Sequence, residues 1–256
     1  MHTIIATIVL IIGLLMQQTP NGDIVTEQIS ADLDGDGVEE PIALEHMHGR
    51  GDFTLAIGAD RIEGYIDPWV DRMLLVDIDT SDGRMEIAVE TSGPSDDYGR
   101  IYYTYVNNRI EELGYVDGEA VEEGNGDIHT SVWMGFWSRR DVYRLDRSSG
   151  LLEPLDQDIY TVRARGGGSV MAIDCTVLEP FQLYTHRDKD VVLVELEEGE
   201  AVAIMACHFA ERGTSDDIEL ACGLLDWYLM VNEEGLAGWA QYGNFRDKVE
   251  GIVGAD

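Results

Sequence analysis

The stretch ADLDGDGVEE, residues 31–40, has an aspartate at every second position, a glycine after the third aspartate and a glutamate at its end. Carboxylates this close repel one another and raise one another's pKa unless a cation neutralises them. A hard divalent ion that takes six to eight oxygen ligands suits such a cluster. Both flanks of the stretch have strand patterns, so we expect it to connect two β-strands.

The spacing matches the first half of an EF-hand loop. Counted from Asp32 as position one, side-chain oxygens come at positions one, three and five, and Gly37 at position six allows a sharp turn. An EF-hand then needs a bidentate glutamate at position twelve, where this chain has Ala43. The last carboxylate is instead Glu40, at position nine, and the strand that begins at Pro41 follows it directly.

The pattern D-x-D-G-D-G-x-x-E resembles the calcium loops of FG-GAP and VCBS-type repeats, hairpin modules of integrin-like propellers and of many secreted bacterial proteins. The resemblance implies Ca²⁺ as the cofactor and the following ligands: Asp32, Asp34, Asp36, the Val38 carbonyl and Glu40. That family usually closes the loop with aspartate, whereas Glu40 has a longer reach. Magnesium is disfavoured by its demand for tight octahedral geometry, and zinc by the lack of imidazole or thiolate. A plain solvated acidic turn is the alternative.

A second copy of the pattern occurs in VDIDTSDGRMEIAV, residues 76–89. It keeps the spacing of positions five, six and nine in Asp82, Gly83 and Glu86. Asp77 and Asp79 lie one residue too far upstream, so the copy resembles the same repeat with one inserted residue. The insertion lets either Asp79 or Asp77 reach an ion, but not both as in the first loop. A weaker second metal site and a structural β-turn are both open.

The remaining pattern of the N-terminal part predicts an all-β fold. Short runs rich in β-branched and aromatic residues are typical of strands, and they include PIALEHM, DFTLAIGAD, MEIAVET and RIYYTYVNN. VNNR at 106–109 predicts a tight hairpin turn. We therefore expect residues 23–160 to form an FG-GAP/VCBS-like domain of hairpin repeats with room for two or three units. The aromatics of SVWMGFWS, which are Trp133, Phe136 and Trp137, either line a groove or, more commonly, belong to the core.

A composition break at TVRARGGGSV predicts a linker at 161–171, followed by a second strand-rich domain at 172–256. Its order of motifs resembles a bacterial SH3-like (SH3b) domain: a leucine before a G-E turn, a W-Y-x-x-V strand and a closing G-W-A. The matching residues are Leu196, Gly199, Trp227, Val231, Gly235, Gly238, Trp239 and Tyr242. The resemblance implies a small β-barrel with a tight turn at Gly235 and a close backbone approach at Gly238. FQLYTHRDKD replaces the family's usual binding segment, so both a spacer and a ligand-binding role are open.

Charge and the N-terminus limit the partners and the location. With 17 Lys and Arg residues against 50 Asp and Glu residues, the net charge of −33 disfavours nucleic acid and anionic membrane surfaces. A saline habitat is an alternative reason for this acidity. The apolar run TIIATIVLIIGLLM predicts a signal peptide or an N-terminal anchor within residues 1–20. We therefore expect a secreted or cell-surface bacterial protein.

Nothing in the sequence nominates a catalytic site. Cys207 and His208 are adjacent, and neighbouring residues of a strand point to opposite faces. Cys207 and Cys222 could form a disulfide in an oxidising compartment, which would leave Cys175 unpaired. The alternative is that all three cysteines are buried thiols. We predict a non-catalytic calcium-binding protein that binds or adheres to a cell-wall component or a surface protein. The alternative is a cell-wall enzyme, or its accessory factor, that these domains localise.

Overall fold

The structure, a computed structural model, describes residues 23–94, 98–162, 172–188, 191–209 and 223–252. Three predictions therefore fall wholly or partly outside the described residues: the N-terminal leader at 1–20, most of the linker at 161–171, and the disulfide that requires Cys222. Within these ranges no helix has the length and apolar character needed to cross a membrane.

The described chain is built almost entirely of antiparallel strands, which confirms the predicted all-β class. The first sheet contains β1 (Ile24–Ala31), β2 (Glu40–Met47), β3 (Asp52–Ile57) and β4 (Asp60–Tyr65). The second contains β5 (Arg72–Val76), β6 (Glu86–Ser92), β7 (Tyr98–Val106) and β8 (Arg109–Asp117). The third contains β9 (Glu119–Glu122), β10 (Asp127–Trp133), β11 (Ser138–Asp146) and β12 (Leu151–Pro154).

Each of these three sheets follows one plan, in which four strands lie side by side in chain order. Hairpins join the neighbours, and the VNNR turn confirms its prediction because Val106 pairs with Arg109. Asn107 and Asn108 have φ of 53° and 59°. Two consecutive positive φ angles define the hairpin turn that asparagine favours. The chain thus repeats one four-stranded unit three times.

The second sheet is buried on both faces, and this holds the three units together. Successive residues of a strand point to opposite faces. Ile87 and Val89 of β6 therefore join the core shared with the first sheet, where they meet Leu44 and Leu55. Ala88 lies on the other face, in the core shared with the third sheet. Fully burying one such aliphatic side chain stabilises the fold by about 1.5–3 kcal/mol.

The C-terminal part forms a single larger sheet. Its strands are β13 (Tyr160–Thr161), β14 (Ile173–Val177), β15 (Phe181–Tyr184), β16 (Val192–Leu196), β17 (Ala201–His208), β18 (Trp227–Asn232), β19 (Ala237–Gln241) and β20 (Val249–Glu250), with one short helix, α1 (Tyr242–Phe245). They are ordered β16-β15-β19-β18-β17-β14-β20, and β13 pairs with β17. An alanine Cβ at Gly238 would lie 2.8 Å from the Leu183 Cβ, which confirms the close approach predicted there. Gly235 has φ +81°, as the predicted tight turn requires.

The β10–β11 turn packs into the core of this C-terminal sheet. Trp137 is fully buried in the cluster that also contains Tyr228 and Met230, and Phe136 belongs to the same cluster. The Trp137 indole N–H donates a hydrogen bond of 3.2 Å to the Tyr228 hydroxyl. Phe136 and Trp137 are therefore core residues that connect the third sheet to the C-terminal sheet. Trp133 is only partly buried.

Candidate metal centre

The first acidic loop, residues 32–40, closes the hairpin of β1 and β2. Ala31, the last residue of β1, pairs with Glu40, the first residue of β2. Strand pairing therefore fixes the two ends of the loop, with Asp32 just after one strand and the Glu40 carboxylate at the start of the other. Few intervening residues separate them, so the spacing of the sequence alone brings these acids to one end of the sheet.

Three of the predicted ligands come together in this loop. Asp32, Asp34 and Glu40 each have a carboxylate oxygen within 4.8 Å of the others, and all three side chains are partly buried. Oxygens that share a Ca²⁺ ion at 2.3–2.6 Å lie no more than about 5 Å apart. The three oxygens thus have the spacing of one side of a calcium coordination shell.

Hydrogen bonds from backbone N–H groups orient these carboxylates. Asp32 accepts from the N–H of Gly35 at 2.8 Å through Oδ1 and from the N–H of Gly37 at 2.9 Å through Oδ2. Glu40 Oε2 accepts from the N–H of Leu33 at 3.0 Å. Gly37 has φ +87°, the positive value that the predicted sharp turn requires. The acids of the loop therefore fix its backbone conformation through their own hydrogen bonds.

The other two predicted ligands lie at the outer part of the loop. Asp36 is exposed and is not among the clustered carboxylates. Its Oδ1 accepts the N–H of Val38 at 2.7 Å, a local turn of the kind that aspartate commonly forms. Val38 itself is 62% exposed. The structure thus brings together Asp32, Asp34 and Glu40 but not Asp36.

The surroundings of the first loop are negative. No arginine, lysine or histidine of the described ranges forms an ion pair with Asp32, Asp34, Asp36 or Glu40. Burial, followed by the charges of Glu40, Asp60 and Asp34, raises the pKa of the neighbouring Tyr105. The carboxylates of the first loop thus act on Tyr105 in the same direction as its burial does.

The second acidic loop, residues 77–86, closes the hairpin of β5 and β6 in the same way. Val76 pairs with Glu86, so this loop is one residue longer than the first, as the predicted insertion requires. Glu86 Oε2 accepts the N–H of Ile78 at 3.0 Å, the counterpart of the bond between Glu40 and Leu33. Asp82 Oδ1 accepts the N–H of Arg84 at 2.9 Å, as Asp36 accepts that of Val38. The two loops are structural equivalents.

The acids of the second loop nevertheless do not converge. Among the described residues, the first loop contains the only group of three or more potential metal ligands within 4.8 Å of one another. Glu86 is 3% exposed, and burial, with the nearby charges of Asp82 and Asp77, raises its pKa to about 7. Asp77 Oδ1 is buried, and no residue that the structure describes forms a hydrogen bond with it. The carboxylate of Asp79 is engaged by Ser81 and Arg147.

The two loops lie against each other, a contact that the sequence did not reveal. The N–H of Met85 donates to the carbonyl of Leu33 at 3.1 Å. A Cβ placed on Gly35 would lie only 2.6 Å from the carbonyl oxygen of Gly83. Leu33 and Ile78 occupy the same position in each loop and are both buried. An apolar residue between two aspartates thus recurs in both loops, and in the sequence it indicates which residue of each loop points into the core.

Two other surfaces contain polar and aromatic groups. An open cavity of about 320 Å³ is lined by Asp67, Pro68, Pro94, Tyr98, Tyr115, Asp117, Gly118, Val132 and Trp133. On the C-terminal sheet, the Arg187 guanidinium lies 5.5 Å from the centre of the Trp239 ring. His208 Nδ1 lies 2.9 Å from a carboxylate oxygen of Asp158.

The two cysteines that the structure describes, Cys175 and Cys207, have the environment of core thiols. Cys207 is fully buried, whereas the neighbouring His208 is partly exposed, as the alternation of a strand predicts. Burial raises the pKa of Cys175 to about 11. Because the thiolate is the reactive form, Cys175 is a poor nucleophile at neutral pH.

Compared with known proteins, the chain matches no family model and no curated sequence. The resemblances to FG-GAP, VCBS and SH3-like domains therefore stay predictions from the sequence.

Proposed function

We propose that this chain is a non-catalytic calcium-binding protein, and that the first acidic loop binds one Ca²⁺ ion. The observation that carries the proposal is the convergence of Asp32, Asp34 and Glu40 within 4.8 Å, with no basic side chain of the described ranges paired to them. The proposed ion is held by these three carboxylates, and further oxygens come from Asp36, the Val38 carbonyl or water.

Electrostatics favours a divalent cation at this place. Two unit charges 4.8 Å apart repel by about 3 kcal/mol at an effective dielectric constant of about 20, before screening by salt. A central divalent cation attracts all three carboxylates at a shorter distance, and these attractions outweigh the repulsions between them. All candidate ligand atoms are oxygens, which suit hard cations, and Ca²⁺ tolerates an irregular arrangement better than Mg²⁺ does.

The bound ion would stabilise more than one hairpin. The first loop contacts the second through the bond between Met85 and Leu33, and Leu33 is part of the core between the first two sheets. An ion that binds the folded loop and not the unfolded chain stabilises the folded state by linkage. Calcium is thus expected to strengthen the contact between two of the repeated units.

The wider role that we propose is binding at a bacterial cell surface. Its support is the apolar N-terminal segment, the net charge of −33, and the SH3-like motif order of the C-terminal domain. The partner class is a cell-wall component or a surface protein, recognised through the C-terminal domain. Arg187 and Trp239, which lie together on that domain, are the first residues to test for this contact.

Thermal unfolding of the chain tests the calcium site directly. The protein is melted with calcium, with magnesium and with a chelator, all at one ionic strength. At a calcium concentration of 100 times the dissociation constant, the stabilisation is about 2.7 kcal/mol, which corresponds to roughly 5–10 °C for a chain of this size.

Asp34→Asn and Glu39→Gln form a matched pair for this experiment. Both remove one acidic charge from the same loop, but Glu39 is exposed and lies outside the carboxylate group. We expect a calcium-specific rise in melting temperature in the wild type and in Glu39→Gln, and none in Asp34→Asn. Equal stabilisation by sodium chloride, or an unchanged calcium effect in Asp34→Asn, would refute the proposal.

A further inference from the structure

The second loop has the acids of the first but differs in the partners of its central aspartate. Asp79 is 4% exposed, and the guanidinium of Arg147 bonds its Oδ2. Its Oδ1 accepts the hydroxyl of Ser81 at 2.6 Å and the N–H of the same residue at 3.1 Å. Both oxygens of Asp79 are therefore engaged within the protein. In the first loop, Asp34 accepts only a 3.2 Å bond from the N–H of Asp36 among the described residues.

Packing of the third sheet brings Arg147 to this position. The N–H and the hydroxyl of Thr80 donate to the carbonyl of Gly124 at 3.0 and 2.9 Å. The N–H of Gly126 donates to the carbonyl of Ile78 at 2.8 Å. These bonds join the second loop to the β9–β10 turn, and the neighbouring turn between β11 and β12 carries Arg147.

The turn that carries Arg147 is itself well defined. Asp146 Oδ1 accepts the N–H of Ser148 at 2.8 Å, and the carbonyl of Asp146 accepts the N–H of Gly150 at 2.8 Å. Arg147 also lies 3.4 Å from the hydroxyl of Ser81. The guanidinium thus contacts the second loop at two neighbouring oxygen atoms.

We propose that the guanidinium of Arg147 takes the place of a metal ion in the second loop. The chain then binds one calcium ion rather than two. A buried carboxylate needs a countercharge, and the guanidinium of Arg147, whose side chain is itself 68% exposed, supplies a permanent one. Ser81 supports the same role, because it donates to the Asp79 oxygen that Arg147 does not contact. The number of calcium ions rests on the proposed function, but the pairing of Arg147 with Asp79 does not.

Calcium stoichiometry tests the first half of the proposal. Isothermal titration of the chain with calcium chloride is compared among the wild type, Asp34→Asn and Asp79→Asn, which carry the same change of charge in equivalent loops. We expect one calcium per chain in the wild type and in Asp79→Asn, and none in Asp34→Asn. Two calcium ions per chain, or loss of an ion in Asp79→Asn, would overturn the inference.

A double-mutant cycle in chelator tests the second half. The midpoint of urea unfolding is measured for Arg147→Met, Asp79→Asn and the double variant. We expect each single variant to lower the midpoint and the double variant to lie no lower than Arg147→Met, because the lone buried charge is then absent. Strictly additive shifts would overturn the pairing.

Arg144→Met is the matched control for this cycle. Arg144 lies on the same hairpin but pairs with Asp127 at 2.7 Å instead of with Asp79. Its effect is expected to add to that of Asp79→Asn without coupling, and coupling as strong as that of Arg147 would also overturn the assignment. Absence of any calcium binding, with the Arg147 coupling intact, would refute the proposed function while supporting the role of the arginine.

Discussion

Replacing Gly35 by alanine isolates the contact between the two acidic loops. Gly35 has φ +77°, and a Cβ at this residue would lie 2.6 Å from the carbonyl oxygen of Gly83. A residue with a side chain pays about 1–2 kcal/mol for a left-handed conformation. Forcing atoms into a filled space costs about 1–3 kcal/mol more, because the backbone of the second loop must move. Gly35→Ala should therefore lower the free energy of unfolding by about 2–5 kcal/mol.

Gly37→Ala is the matched control in the same loop. Gly37 has φ +87°, but a Cβ there meets nothing within 4 Å. This variant carries the conformational cost of about 1–2 kcal/mol without the overlap. Any change in the entropy of the unfolded chain is similar for two glycine-to-alanine changes two residues apart. The difference between the variants thus measures the contact with Gly83.

Urea unfolding in chelator, with linear extrapolation to water, is the assay. We expect Gly35→Ala to be less stable than Gly37→Ala by about 1–3 kcal/mol. Chelator removes calcium as a variable, so the result does not depend on the proposed metal site. Equal unfolding free energies, within about 0.5 kcal/mol, would show that the loops do not support each other and would refute the reasoning.

Two further predictions concern the core. Trp137→Ala removes a fully buried indole that packs on the C-terminal sheet and donates a hydrogen bond to Tyr228. It should lower the free energy of unfolding, measured by urea titration, by about 3–5 kcal/mol. A loss below about 1 kcal/mol would contradict the place of Trp137 in that core. Burial lowers the pKa of His46. As the pH falls, His46 therefore binds a proton in the unfolded chain at a higher pH than in the folded protein. The stability that is present above the ordinary histidine pKa of about 6.5 is lost as the pH falls below that value. His46→Leu should flatten this part of the profile of urea midpoints between pH 5 and pH 8, and an unchanged slope would exclude His46 as its source.

Much of the first loop was predictable because its geometry is local. The aspartates and Glu40 lie within one hairpin connection, and the strand pairing of Ala31 with Glu40 closes it. Spacing in the sequence therefore translates directly into proximity. Asp36 is the exception: its carboxylate accepts the N–H of Val38 at the exposed part of the loop and does not join the cluster. All four acids make short-range bonds to the backbone, and the sequence pattern does not show which of their carboxylates turn toward one another.

The second loop shows where prediction from the sequence ends. Its acids repeat at the expected positions, but Arg147 is 68 residues away from Asp79 along the chain. Nothing in the local pattern indicates that partner, since it arrives only when the third sheet packs on the second. The same is true of Trp137 and Tyr228, which are separated by 91 residues.

The sequence by itself determined the strands, the turns and the acidic hairpin loops, because the alternation of side chains and the conformational freedom of glycine and asparagine act over a few neighbouring residues. The tertiary structure alone decided the stacking of the three units, the contact between the loops and the arginine that pairs with the second loop. These depend on which faces are buried together, and burial brings Arg147 to Asp79 while it places no basic residue of the described chain against Asp32, Asp34 and Glu40.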